Sequence, residues 1–447
     1  MEEALAKKRR RQRWAWYLYD FGNSAYAAVI LLAVYSAYFH GQVVVNAENA
    51  SFLWGLSVGI AMLMVAFISP VLGAIADFSR AKKPFLFGFT LISCIFTAML
   101  FFVQRGDVFI GMLYFILAEI GYRSAQVFYN ALLPDIASHE EMGRVSGAGW
   151  AIGSAGGVIC LFIILPLIMI FKGPLMVRIS FLITAAYFAL SSLPIFLWLK
   201  EGSAPTPLPK GETYLSVGFK RLISTFKKVR HFGGFIKFMI CFLVYNDGVI
   251  MALNFASIIG AVLFGMEQQA LIIFVILVQL TNVAGAYVFG LMADRMGGKR
   301  ALMLSIAVMF VAIVMMFLAQ SQGFFFFIGG LAGFAMAGIQ SLSRTVVGML
   351  VPSGQSAEFY GFFSVAGQAS SFVGPTVYGW VATSVTTWQL KQGMEDLLAR
   401  QQGQRMAILS IGVFLLVGLL LLGAVHENPV RKSAKLPVDG KNLAQAG

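Results

Sequence analysis

Charge is scarce in this chain. Charged residues make up 12% of its 447 positions, where a soluble domain carries about a quarter. So little charge cannot cover a water-facing surface, and a soluble globular fold is excluded. Cysteine is scarcer still: Cys94, Cys160 and Cys241 all sit inside apolar runs. They offer no disulfide framework and no metal-ligand spacing, and read as small buried hydrophobes. The four histidines, His40, His139, His231 and His426, fall in loops or at helix ends without metal or triad spacing. No Gly-x-x-x-x-Gly-Lys-Ser/Thr stretch occurs, so ATP is not a direct driver. Catalytic residues, a metal and a cofactor are therefore not expected, and the chain does not read as an enzyme.

What is there is apolar: 59% of the residues are hydrophobic. That allows a dozen helices of the roughly 20 residues needed to cross a bilayer core. A net charge of +13 and the run Lys7-Lys8-Arg9-Arg10-Arg11-Gln12-Arg13 could point to nucleic acid. The membrane reading is preferred, with no nucleic-acid partner, because the basic residues cluster in alternate loops. The first apolar run, 14–39, is too long for the core of a cleavable signal and reads as the first span.

Apolar runs place helices at 14–39, 52–76, 84–103, 108–132, 145–171 and 177–199, then at 234–263, 268–293, 300–320, 323–350, 358–383 and 405–425. The predicted fold is all-α and integral to the membrane, with twelve spans in two six-helix pseudo-repeats. Its expected divisions are a basic cytoplasmic arm (1–13), an N-terminal bundle (14–200), a cytoplasmic linker (201–233), a C-terminal bundle (234–425) and a cytoplasmic tail (426–447). Loops carrying Arg80, Lys82 and Lys83, then Lys220, Arg221, Lys227, Lys228 and Arg230, then Arg295, Lys299 and Arg300 alternate with the uncharged-to-acidic loops 40–51, 264–269 and 320–323. That bias predicts cytoplasmic termini and a plasma (inner) membrane location. The linker's basic face is expected on the anionic inner leaflet. Residues 384–404 read as one long outer loop, with a short surface helix as the alternative, and the protein as a monomer.

One motif divides the chain. Gly73, Asp77, Arg80, Lys82 and Lys83 follow the second apolar run, and 217 residues on, Gly290, Asp294, Arg295, Gly297, Lys299 and Arg300 follow the eighth. Pro134, Glu140, Gly143, Gly149 and Gly156 likewise recur 218 residues on as Pro352, Glu358, Gly361, Gly367 and Gly374. A near-constant offset through several helices indicates a duplicated unit. The glycines of the fifth helix (Gly149, Gly153, Gly156, Gly157) and the eleventh (Gly361, Gly367, Gly374) permit close helix contacts, and their matched positions predict sliding contacts between the halves. In the hinges, Asp77 and Asp294 can accept hydrogen bonds from a nearby helix N-terminus, and the basic residues can pair across the cytoplasmic face. Loop charge that merely sets topology is the alternative.

Twelve helices in two repeats with this hinge motif resemble the major facilitator superfamily. The copy at 290–300 matches the motif fully, whereas the first departs from it at Phe78 and Ala81. Tyr19-Asp20-Phe21-Gly22-Asn23-Ser24, Tyr129-Asn130, Gly143-Arg144-Val145-Ser146-Gly147, Tyr245-Asn246-Asp247-Gly248 and Gly374-Pro375 are similar to runs of the vacuole-effluxer-like family. The resemblance spans nearly the whole chain. It implies efflux by alternating access, with amino acids as the solute class of the eukaryotic members. Helices one, four, seven and ten are implied to line the cavity.

Polar residues inside the spans are costly and therefore informative. Asp20 and Asn23 fall in the first helix, Glu119, Arg123, Gln126 and Asn130 in the fourth, and Asn246 and Asp247 in the seventh. Gln279 and Asn282 fall in the eighth, and Gln340 and Arg344 in the tenth. Glu119 and Arg123 lie four apart and can pair, as a structural pin or as a site. The expected function is secondary transport of a small polar or zwitterionic solute, with Asp20, Glu119 and Asp247 as candidates for proton coupling and Asp247 placed first. An exporter of amphipathic or drug-like molecules, and a non-transporting sensor or scaffold, are the other readings.

Overall fold

The computed structural model describes residues 2–44, 47–171, 173–201, 233–266, 268–352 and 354–425, with residues 213, 216 and 220. Twelve long helices carry the fold among them. The first six are α1 (Glu2–Tyr26), α2 (Ala47–Ser79), α3 (Lys82–Met99), α4 (Val108–Ala131), α5 (Met142–Ile170) and α6 (Pro174–Trp198). The second six are α7 (Gly233–Phe264), α8 (Gln268–Met296), α9 (Gly298–Leu318), α10 (Gln322–Leu350), α11 (Ser356–Lys391) and α12 (Asp396–Gly423). Helices are what a membrane permits, since each backbone group is bonded within its own segment. Eleven of them are long and apolar enough to cross one. The remaining helix, α11, carries Glu358, Ser364 and Gln368 and is enclosed by α2, α4, α7 and α12. Phe67, Phe109, Ile170 and Trp380 point outward from the bundle, whereas Trp16, Tyr35, Phe115 and Tyr245 are buried within it. The apolar exterior fits a protein solvated by lipid.

Local signals set several boundaries. Pro174 opens α6, where its missing N–H is not needed. Ser321 caps α10 by accepting from the Phe324 amide at 3.3 Å. Gly297 stands before α9 with φ +89°, a conformation that favours glycine.

Two expectations about extramembrane segments change. Described residues of the basic arm are not a separate arm: α1 is continuous from Glu2, Arg11 lies 4.4 Å from the Trp198 ring, and Arg13 pairs with Glu141. At 384–404 the helical alternative holds over the loop, but as extensions of the spans and not as a separate helix, because α11 runs to Lys391 and α12 starts at Asp396. Side chains hold these extensions together, with Tyr378 donating to Gln404 Oε1 at 2.7 Å and Gly403 packed against Ala382. The linker expected at 201–233, apart from Glu201, residues 213, 216 and 220 and Gly233, and the tail at 426–447 lie outside the described residues.

The halves meet along two main seams, α5 with α8 and α2 with α11, with further contacts of α10 on α5 and α11 on α4. In the first seam Gly143 and Gly147 lie against Gly290, Ala293 and Ala286. In the second, a methyl group at Gly73 would stand 2.5 Å from the Ala357 carbonyl oxygen, and Gly361 packs on Ser69 and Pro70. Gly149, Gly153, Gly156 and Gly157 do not face the other half, contrary to expectation. They seat α5 on Trp16, Asp20, Phe21 and Ser24 of α1. Gly367 and Gly374 likewise face Phe242 and Asp247 of their own half. The fifth helix thus spends its glycines twice, near its start between halves and further along within its own bundle.

Candidate functional site

The two hinge aspartates perform the same act. Asp77 Oδ2 accepts from the Glu358 amide at 2.8 Å, and Asp294 Oδ1 accepts from the Arg144 amide at 3.0 Å. Glu358 and Arg144 are each the third residue of their helix, α11 and α5, and neither helix has a side-chain cap from its own flanking residue. Each half therefore caps a helix of the other, placing a carboxylate where the helix N-terminus favours negative charge. Their settings differ. Asp77 is 2% exposed, with Lys82 at 4.0 Å, whereas the Asp294 side chain is 21% exposed and pairs with Arg144 Nε at 3.5 Å. The seams also differ by one helical turn, since Arg144 and Glu358 are 214 residues apart while the repeat offset is 218.

The bonds of the basic hinge lysines among the described residues run within their own half. Lys82 bonds Asp135 at 2.9 Å, Lys83 Nζ bonds the Leu199 carbonyl at 2.7 Å, and Lys299 Nζ bonds the Gly423 and Val425 carbonyls. Lys83 and Lys299 thus tie the third helix of each half to the end of its sixth, where free carbonyls attract a cation. Arg295 and Arg300 are exposed, with no ion pair among the described residues. Arg80, left-handed at φ 53°, reaches across to Gly354.

Above the latches, one arginine joins the halves. Arg344 of α10 is 4% exposed, and its guanidinium finds its polar partners in the N-terminal half. Its Nε donates to Ser146 Oγ at 3.0 Å, one Nη to the Ser146 carbonyl at 2.7 Å, and the other to Asn130 Oδ1 at 3.3 Å, with Asp20 at 3.8 Å. The guanidinium lies 4.8 Å from the Trp16 ring and within 6 Å of Tyr129 and Trp150. Trp16 is itself stacked on Tyr129 at 4.4 Å and donates to its carbonyl at 3.0 Å, so the box is preformed. Ser146 Oγ in turn donates to the Ser341 carbonyl at 2.7 Å, and Ser356 Oγ to the Ala131 carbonyl at 2.8 Å. Nearer the bundle centre, Trp150 and Ser154 both donate to Asn282 Oδ1, at 3.1 and 3.3 Å. Among the described residues, no hydrogen bond or ion pair joins the halves at the end away from the hinges.

Glu119, Arg123, Gln126 and Asn130 fall on one face of α4, the face whose Asn130 touches the opposite half. Glu119 is 0% exposed and pairs with Arg123 Nε at 2.6 Å; the Arg123 side chain is 30% exposed. Gln126 Nε2 bonds the Tyr122 hydroxyl at 3.2 Å, and Tyr122 stacks on Tyr26 at 4.6 Å. Directly after Tyr26, α1 loosens into π-helical turns at Ala27–Ala33, a feature that recurs at functional sites.

Residues 37–435 match the family described as vacuole effluxer Atg22 like. The chain belongs to that family. It is 27% identical to an uncharacterized MFS-type transporter, YxiO, of Bacillus subtilis, over 95% of this chain and 96% of that one. It is 23% identical to autophagy-related protein 22 of Yarrowia lipolytica, over 83% and 76%. In fold it is similar to the human organic anion transporter MFSD10, with a TM-score of 0.68 at 14% identity over 93% and 99% of the two chains. A bacterial homologue of the iron transporter ferroportin in its outward-facing state gives 0.67 at 11% identity over 93% and 98%. This Atg22-like chain is a multi-pass membrane transporter of the major facilitator type and not an enzyme.

In this Atg22-like protein the acidic residues expected to be equivalent have parted ways. Asp247 Oδ1 accepts from the Gly374 amide at 2.7 Å, one residue before Pro375 inside α11. A proline inside a helix weakens the helix's own ladder, and Asp247 takes up the backbone donor beside it. Asp20 faces α5, which has no proline at the matching point, and turns to Arg344 instead. Asn23 is buried beside it. Gln340 approaches Asn246 at 3.5 Å, and Gln279 is half-buried with no hydrogen bond among the described residues. Trp16, Tyr129, Ser146 and Trp150 were not among the candidate residues. Tyr129 and Ser146 lie within the family-like runs, which was the available signal; Trp16 and Trp150 look like ordinary apolar positions until Arg344 is placed.

Outside the spans, Glu141 accepts from Arg13 and Arg144. Chiefly the hydrogen bond from Arg13, aided by both positive charges, holds its carboxyl below the usual range.

Proposed function

We propose that this transporter moves a small carboxylate-bearing zwitterion, amino acids foremost, by alternating access, and that it stands here with its cytoplasmic gate shut. The observation that carries the solute class is the Glu119–Arg123 pair. Arg123 uses Nε on Glu119, while its two terminal nitrogens have no hydrogen bond among the described residues and its side chain is 30% exposed on the α4 face that carries Asn130. A guanidinium fork suits a carboxylate, and Glu119 supplies the opposite sign for an ammonium group. The hinge end is read as cytoplasmic because the basic residues concentrate there, from Arg9 to Lys83 and from Arg295 to Arg300, outnumbering Arg105, Arg178, Lys391, Arg400 and Arg405 at the other end. The gate is the pair of trans caps together with Arg344 in its aromatic box. Asp20 is the better candidate than Asp247 for proton coupling, because its charge faces the Arg344 plug whereas Asp247 serves a helix backbone.

The test is counterflow in liposomes. Saturable exchange of labelled amino acids is expected, competed by carboxylates and lost in Arg123→Gln, with Arg123→Lys partly active. No saturable flux for any amino acid removes the solute class. Flux that survives Arg123→Gln removes the assigned site.

A further inference from the structure

A groove of about 670 Å³ opens at the hinge end, away from the α4 stripe. Arg9, Arg10, Arg13 and Arg144 line it against the carboxylate of Glu141, with Asp294 behind at 3.5 Å from Arg144 Nε. Arg13 and Arg144 share that carboxylate, whereas Arg9 and Arg10 are exposed with no ion pair among the described residues. Four cations beside two carboxylates leave a surplus of two positive charges, carried by Arg9 and Arg10, that a further anion would neutralise. The groove is flanked by exposed Trp14 and Tyr287, of the aromatic types that sit at headgroup depth. Its walls come from both halves: Tyr287 is on α8, and the Arg144 amide is held by Asp294 of the same helix. The groove therefore has this shape only while the hinge end is shut.

We propose that this groove binds the headgroup phosphate of an anionic phospholipid and that the bound lipid holds the hinge end closed. Arginine forks match phosphate oxygens, and the aromatic flanks favour a lipid over a soluble anion. The site is separate from solute recognition and stands whether or not the solute is an amino acid.

Spin labels at His139→Cys and Arg300→Cys, both exposed at the hinge end, report the closed fraction in nanodiscs of phosphatidylcholine with and without phosphatidylglycerol. Phosphatidylglycerol is expected to raise the closed-to-open ratio by about fivefold per arginine engaged. Arg9→Gln with Arg10→Gln, exposed substitutions that leave the latches and the linker intact, should reduce that response by roughly tenfold or more. Counterflow in phosphatidylcholine should stay at the parent rate. An equal response in the double variant, or none in the parent, overturns the proposal. Millimolar inorganic phosphate reproducing the effect in phosphatidylcholine overturns the lipid assignment in favour of a soluble anion.

Discussion

Replacing Asp77 by alanine should open the hinge end. The substitution removes a carboxylate that accepts from the Glu358 amide at 2.8 Å in a fully enclosed seam. It also removes the negative charge beside Lys82, whose ammonium then depends on Asp135 and the Ala131 carbonyl. Loss of an N-cap costs about 0.5–2 kcal/mol, and a charge-assisted bond about 1.5–3 kcal/mol. A net loss of about 2 kcal/mol, at 1.4 kcal/mol per decade, moves the closed-to-open ratio by about 30-fold. Asparagine keeps an accepting oxygen and is nearly as good a cap, so Asp77→Asn should move it by no more than about fivefold. Distances between spin labels at positions 139 and 300 measure both. A folded Asp77→Ala protein with the parent distance distribution would refute the latch, as would an Asp77→Asn change as large as that of alanine.

Asp20→Asn should abolish acid-driven accumulation while sparing counterflow, whereas Asp247→Asn, still able to accept from Gly374, should change neither by more than about twofold; the reverse pattern would return the coupling role to Asp247. Arg344→Ala should weaken closure by more than tenfold, since it empties a box of three rings and three polar partners, and Arg344→Lys should recover only part of it in the same distance measurement. Gly147→Val places side-chain atoms against the Ala286 carbonyl and Gly290, so cross-linking between α5 and α8 should fall while thermal stability of the N-terminal bundle is kept. The Glu141 pKa is lowered from the carboxylate norm, so its contribution is complete above about pH 4.3 and is lost as pH falls through its own lower value. The stability gap between parent and Glu141→Gln should therefore be constant from neutrality to about pH 5 and close only at stronger acidity, as read by thermal shift.

Much of the architecture was legible in the residues because its causes are local or repetitive. Apolar runs of spanning length force helices in lipid whatever their neighbours do, and the 217-residue return of the hinge motif exposes the duplication. The Glu119–Arg123 pair was also legible, since residues four apart on a helix must face one way. Other features needed partners that are far away in the chain. Sequence proximity to the hinge could not show that Lys83 and Lys299 reach the ends of α6 and α12, because a helix terminus becomes a cation acceptor only where packing brings it close. Nor could equivalent positions reveal that Asp247 would serve the Gly374 amide and Asp20 would face Arg344, for that choice goes with Pro375 standing inside only one of the two helices at this point. The sequence alone determined the spans, the repeat and the stripe on α4. The tertiary structure alone decided which glycines part the halves and which seat α5, which aspartate guards an arginine, and that Trp16, Tyr129 and Trp150 form its box, since each is a matter of what lies opposite rather than of what lies next along the chain.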